Sequence, residues 1–166
     1  MRLGTKGRYA VTALVDISRQ CAQDGTDKPV SLASIAARQE ISLSYLEQLF
    51  SKLGKRGLVK SMRGPGGGFC LAKSAEEILI SDIVDAADEP IRTTNCNNDP
   101  NQGCRSDKSR CLTHHLWEEL GEVIHDYLSS VTLADVVNGK LSGVNGCIEK
   151  QDLKFIPMQK EKLVNA

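Results

Sequence analysis

The sequence is short of aromatic residues: Phe, Trp and Tyr make up 4% of its 166 residues, with a single Trp. Any core is therefore aliphatic. The scattered rings also offer no stacking platform of the kind that holds unpaired RNA bases. No run of about eighteen apolar residues occurs, which is the length a membrane helix needs. The opening residues MRLGTKGRYAV contain no apolar segment of the signal-peptide type, so a cytoplasmic location is the expectation. Six cysteines are present, but cytosolic thiols are kept reduced and a disulfide framework is not expected. The glycine-rich stretch GPGGG lacks the following Lys-Ser/Thr of a P-loop, and it lies between strand-like segments rather than before a helix.

The formal net charge of zero conceals two unlike halves. Residues 1–73 hold 12 Lys and Arg against 5 Asp and Glu, a net of +7, while residues 74–166 hold 9 against 16, a net of −7. A basic half joined to an acidic half suggests that only the first meets a polyanion, although ordinary solvated faces would give the same count.

In the basic half, TKGRYAVTALVDISRQCA reads as a helix. Thr5 is its candidate N-cap, and Tyr9, Ala10, Ala13, Leu14, Ile17 and Cys21 form its apolar stripe. DGTDKP breaks the pattern. Ser31 is placed to cap a short helix, SLASIAARQE. Ile41 and Ser42 make a turn, and Ser42 is placed to cap a third helix whose Leu43, Leu46, Phe50 and Leu53 form one apolar face. Gly57 ends it. Two helices across a tight turn follow the helix–turn–helix plan, with the second entering the major groove. Its outward face carries Ser44, Tyr45, Glu47, Gln48, Ser51, Lys52 and Lys55, a mixture suited to base edges and phosphates. LVKSMR and FCLAK then read as two strands joined by GPGGG, with Pro65 and Gly66 at the central turn positions. This is a hairpin wing whose slim tip, including Gly66 and Gly67, lets backbone approach a phosphate. Arg63 at its base is positioned to reach a minor groove.

The acidic half begins with a short helix ending before Pro90. Thr113 is then placed to cap a long helix, HHLWEELGEVIHDYLSS, with Leu116, Trp117, Leu120, Ile124, Tyr127 and Leu128 in a broad apolar stripe. A small winged domain cannot bury that stripe alone; the same helix of a second subunit can. Packing across its own domain is the plainer alternative. The fold class is mainly α with a small β-hairpin wing: a winged helix–turn–helix domain plus a long dimerisation helix. The expected boundaries are 1–89 for the DNA-binding domain (helix–turn–helix about 32–55, wing about 58–72), 90–112 for a ligand-binding loop and 113–141 for the dimerisation helix with one short helix after it. Residues 142–166 are expected to be a flexible tail.

Between the halves, Cys96, Cys104, Cys111 and His114 are separated by seven, six and two residues. Cys21, Cys70 and Cys147 stand apart; the first two read as small buried hydrophobes. His115 and His125 read as ordinary helix positions, not catalytic groups. Three cysteines and a histidine suit closed tetrahedral zinc. They also suit an iron–sulfur cluster, whose width tolerates longer gaps than paired zinc knuckles. On residue types and spacing the two readings are close to even.

The segments MRLGTKGRYAVTAL, ISLSYLEQLFSKL, LVKSMRGPGGGF and CLTHHLW closely resemble the IscR family of iron–sulfur cluster regulators, bacterial winged-helix transcription factors. The resemblance spans roughly residues 1–141. It implies a homodimer on promoter DNA and a [2Fe–2S] cluster held by Cys96, Cys104, Cys111 and His114, supplied by the cluster-assembly machinery. It implies base or groove contacts from Ser44, Glu47, Gln48 and Arg63, joined by Lys52, Gly66 and Gly67 from the reading above, and control of genes for cluster assembly. It implies no enzymatic activity. The gaps between the cysteines are longer than the family's pattern. A related regulator sensing nitric oxide, a zinc-stabilised regulator, and an iron–sulfur electron carrier are the rival readings. His114 counts against the first, and the basic winged half has no purpose in the last.

Overall fold

Apolar residues recurring every three to four positions make α1 (Thr5–Asp24) a helix with one buried face, and Ala10, Ala13, Leu14 and Ile17 on it are wholly buried. The structure is a computed structural model and describes residues 4–24, 28–88, 93, 103–105, 107 and 109–141. Cys96, Cys147, the expected tail 142–166 and most of the expected loop 90–112 lie outside those residues. The expected N-cap moves by one position, because Thr5 is itself the first helical residue. Tyr9 also departs from expectation. It is half exposed, its ring edge-on to Tyr45 with centroids 5.8 Å apart, so it covers the flank of a neighbouring helix instead of entering the core.

α2 (Leu32–Gln39) starts where expected, with the Ser31 hydroxyl accepting from the Ser34 backbone N–H at 3.2 Å. Glu40 adopts the left-handed region (φ 54°) and turns the chain into α3 (Leu43–Lys55). α3 buries Leu46, Leu49, Phe50 and Leu53. The expected apolar face is shifted: Leu49 is inside, whereas Leu43 is 42% exposed. Leu43 opens the helix, one turn before the backbone reaches the core, so its spacing matched a face that it does not share. Ser42 precedes α3 as its cap residue, but its hydroxyl meets the Ser44 hydroxyl at 2.9 Å instead of a helix N–H. Gly57, at φ 69°, ends α3 as expected.

β1 (Val59–Met62) and β2 (Gly68–Leu71) pair antiparallel, with Val59 opposite Leu71 and Met62 opposite Gly68. The turn between them has Pro65 then Gly66 at φ 75°, closed by Gly67 N–H to Gly64 C=O at 2.9 Å. Val30 adds a third rung: its N–H donates to Phe69 C=O at 2.9 Å and its C=O accepts from Phe69 N–H at 2.8 Å. Gly68 permits this approach, since a Cβ there would lie 2.4 Å from Val30 C=O oxygen.

α4 (Ile80–Ala86), α5 (His114–Ser129) and α6 (Leu133–Val137) follow among the described residues. α6 begins with a capping box: the Thr132 hydroxyl accepts from Asp135 N–H, and the Asp135 carboxylate accepts from Thr132 N–H. Backbone bonds from Ile80 N–H to Val131 C=O (3.0 Å) and from Leu133 N–H to Ile78 C=O (2.8 Å) return the chain to the winged domain after α5. One apolar core runs through α1, α2, α3, α4 and the start of α6. Among the described residues, Asp16 is the buried carboxylate. Its carboxylate accepts from Arg38 Nε at 3.0 Å and from Gln39 Nε2 at 2.6 Å, and it pairs with a second Arg38 nitrogen. Those donors offset the desolvation of the carboxylate and fix α2 against α1.

Candidate functional site

Once Leu46, Leu49, Phe50 and Leu53 are inside, the remaining arc of α3 must face solvent. Ser44, Glu47 and Gln48 lie on that arc, exposed, with no helix across them among the described residues. Lys52 stands one turn beyond Gln48 on the flank next to Tyr45. Its Nζ lies 2.7 Å from Asp88 Oδ2, just past the end of α4. The wing projects beside this helix. Arg63 and Gly66 are exposed on it, and Gly67 is required by the turn, since a Cβ there would lie 2.4 Å from Met62 C=O oxygen. The seven residues named from the sequence as DNA contacts thus divide between one helix face and one hairpin.

The second constellation gathers at the start of α5. His114, its first residue, is 1% exposed. Its Nδ1 lies 3.2 Å from Cys104 Sγ, and its Nε2 lies 3.6 Å from a Glu118 carboxylate oxygen one turn along the helix. Cys111 Sγ is 3.6 Å from the Thr113 hydroxyl. That hydroxyl, and next the Cys104 thiol, hold the Cys111 thiol below its ordinary pKa. Thr113 therefore precedes α5 as expected, but its hydroxyl serves Cys111 and Trp117 Nε1 (3.2 Å) in place of a helix N–H. Three of the four expected ligands are thus neighbours around one helix start. Among the described residues they do not form a three-donor metal group; Cys96 lies outside. Cys70 is buried, and Cys21 packs at the edge of the core.

Two participants were not singled out from the sequence. Glu118 is four residues from His114, the spacing that puts two side chains on one helix face. Gly121 is a lone glycine inside a helical pattern, a known signal of close packing. A Cβ there would lie 2.5 Å from Thr93 Oγ1, so its absence lets Thr93 rest on α5. Among the described residues part of α5's apolar face is uncovered: Leu116 is 59% and Tyr127 56% exposed, with Trp117 and Val123 also open. No helix among the described residues is long and apolar enough to cross a membrane.

A helix–turn–helix with a hairpin wing directly behind it defines a DNA-binding transcriptional regulator. Comparison with known proteins narrows the class. The family model named Rrf2 and described as an iron-dependent transcriptional regulator matches residues 3–139. The chain belongs to the Rrf2 family. The HTH-type transcriptional regulator IscR of Pectobacterium carotovorum is 52% identical over 140 residues, 84% of this chain and 81% of that protein. A putative HTH-type transcriptional regulator, ORF2, of Azotobacter vinelandii is 51% identical over 152 residues, 92% of this chain and 87% of that one. Among solved structures, T. potens IscR matches with a TM-score of 0.65 at 34% identity, covering 85% of this chain and 89% of its own. CymR, the global cysteine regulator of B. subtilis, matches with a TM-score of 0.66 at 30% identity, over 84% and 98%. These relatives are transcriptional regulators and not enzymes, and this chain is an IscR-like regulator of transcription.

Proposed function

We propose that this regulator is a homodimer that holds a [2Fe–2S] cluster through Cys96, Cys104, Cys111 and His114 and controls the genes of cluster assembly. The observation that carries this reading is the buried His114 ring, with Nδ1 turned to the Cys104 thiol and Nε2 within ion-pair range of Glu118. Thiolates and an imidazole are the donor types such a cluster takes, and a carboxylate behind the ligand histidine is the usual way its orientation is set. The resident residues fit the group. When bound it would supply a redox-active, labile iron centre to a site next to α5.

What the chain's own residues do follows from their placement. Ser44, Gln48 and Glu47 meet base edges, Arg63 meets the minor groove, and Lys52 with the wing glycines Gly66 and Gly67 meets the phosphate backbone. Glu47 is repelled by phosphates yet accepts from a cytosine amino group, so it rejects some sites and admits others. The apolar face of α5 pairs with that of a second copy, bringing two winged domains onto one two-fold site. Cluster loading shifts promoter choice only as far as the loaded residues favour one dimer state over another. The cluster-assembly machinery is the donor.

Anaerobic reconstitution of single variants tests the ligand set. Cys96→Ser, Cys104→Ser, Cys111→Ser and His114→Ala are each expected to lose or alter the visible absorption, while Cys21→Ser and Cys70→Ser keep it. Unaltered absorption in Cys104→Ser or His114→Ala would remove the reading. The rival in which the same donors hold zinc is separated by metal analysis.

A further inference from the structure

Lys52, on the flank of α3, already holds an anion. Asp88 Oδ2 lies 2.7 Å from its ammonium nitrogen, with the Asp88 side chain 66% exposed. Lys6, in the first turn of α1, and Arg56, just past α3, add their positive fields to the same carboxylate. Lys52 first, then these two, hold the Asp88 carboxyl below the usual carboxylate range. Asp88 reaches this position because its backbone takes the left-handed region (φ 55°) immediately after α4, turning its side chain back toward α3. An anion thus sits on Lys52, with the positive fields of Lys6 and Arg56 also reaching it, beside the helix face that carries Ser44 and Gln48.

We infer that Asp88 is an intramolecular stand-in for a DNA phosphate. It occupies the place of a phosphate at Lys52, and binding of duplex DNA exchanges the carboxylate for the backbone. The flanks of a helix lying in the major groove run beside the phosphate backbones, so a cation on this flank and a phosphate have matching places. Because the pair is solvent-exposed its strength is modest, and DNA can displace it. Its effect is to subtract a constant cost from every complex that makes this contact, lowering affinity for duplex DNA of any sequence. Asp88 is therefore an affinity-setting residue that touches no base. The inference rests on the proposed role of Lys52 as a backbone contact.

The test uses the full chain and a labelled duplex of mixed sequence, with binding followed by fluorescence anisotropy across a salt series. Asp88→Asn removes the charge while keeping size and tolerance of positive φ. It is expected to tighten binding about threefold at low salt. Lys52→Gln is expected to weaken binding and flatten the plot of log affinity against log salt by about 0.9. In the Lys52→Gln background, Asp88→Asn should have less than about half its effect, measured as the logarithm of the affinity change. If Lys52→Gln weakens binding but Asp88→Asn changes nothing, the role of Asp88 is overturned and Lys52 stands as a contact. Equal tightening in both backgrounds also overturns it, because the effect is then general charge. If Lys52→Gln leaves affinity and slope unchanged, the Lys52 contact itself is refuted and the inference goes with it. Asp88→Gly, which accepts the same φ, repeats the test should Asp88→Asn fail to fold.

Discussion

α3 hides Leu46, Leu49, Phe50 and Leu53 in thirteen residues, whereas α5 hides one residue, His114, in sixteen. Both helices are amphipathic, so the difference lies in what covers the apolar face. α1, α4 and the wing close over α3 within a single chain, leaving a polar face that needs a partner only for function. α5 packs on the core through Leu128, half-buries Leu120 and Ile124, and leaves Leu116, Trp117, Val123 and Tyr127 open. Exposed large residues gathered on one helix face mark an interaction surface. The one side chain that α5 buries is a thiol-facing imidazole, not an aliphatic anchor. The contrast teaches that the DNA-facing part covers its own apolar face, while α5 leaves one open; on the proposed reading a second copy covers it and a cluster completes the cysteine site.

The contrast breaks most severely at the centre of the winged core. Phe50→Ala removes a wholly buried ring that meets Phe69 edge-on at 4.9 Å. It is expected to cost about 3–5 kcal/mol in denaturant unfolding. Trp117→Glu on α5 should leave the secondary structure intact. It should weaken self-association by about a hundredfold, roughly the 3 kcal/mol of a large buried side chain, as read by sedimentation across concentrations. A Trp117→Glu protein that unfolds like Phe50→Ala would erase the distinction between the two helices. Arg38→Ala probes the link between α1 and α2. It strips two nitrogens from the buried Asp16 carboxylate. A loss of about 2 kcal/mol is expected, below the range for a wholly buried pair because the arginine is partly exposed.

The smallest effect sharpens the comparison where the chain leaves α5. Thr132→Ala removes the capping hydroxyl of α6 and is expected to cost about 1 kcal/mol in thermal unfolding at neutral pH. The Thr132 hydroxyl, then its backbone N–H, then Lys140, hold the Asp135 carboxyl below its ordinary value. A depressed carboxylate adds stability above its unfolded value, and that stability is lost as pH falls through the lower folded value. The penalty of Thr132→Ala should therefore shrink below about pH 3.9; a penalty that grows on acidification would show the hydrogen bonds to be unimportant.

Much of the winged half was legible because its elements obey local rules. Three- and four-residue periodicity marks the buried face of α1, and Gly57 and Pro65-Gly66 mark stops and turns whose φ values the structure repeats. The misreadings came where tertiary contact decides. Leu43 has the right spacing for the core face of α3 but stands at its open end, and Tyr9 is drawn sideways by Tyr45. In the cysteine segment, the candidate donor types were visible but their arrangement was not. No periodicity dictates that Cys104 should meet Nδ1 of His114, that Thr113 should serve Cys111, or that Thr93 should rest on Gly121. Asp88 carried no local signal, because its meaning depends on Lys52, thirty-six positions earlier in the chain.

The most direct test of the central claim is the metal and sulfide content of protein purified without oxygen, with its visible spectrum. Coloured protein with about two irons and two sulfides per chain, the composition of a [2Fe–2S] centre, is the predicted result. Colourless protein holding about one zinc per chain, and no iron even after reconstitution, would contradict it.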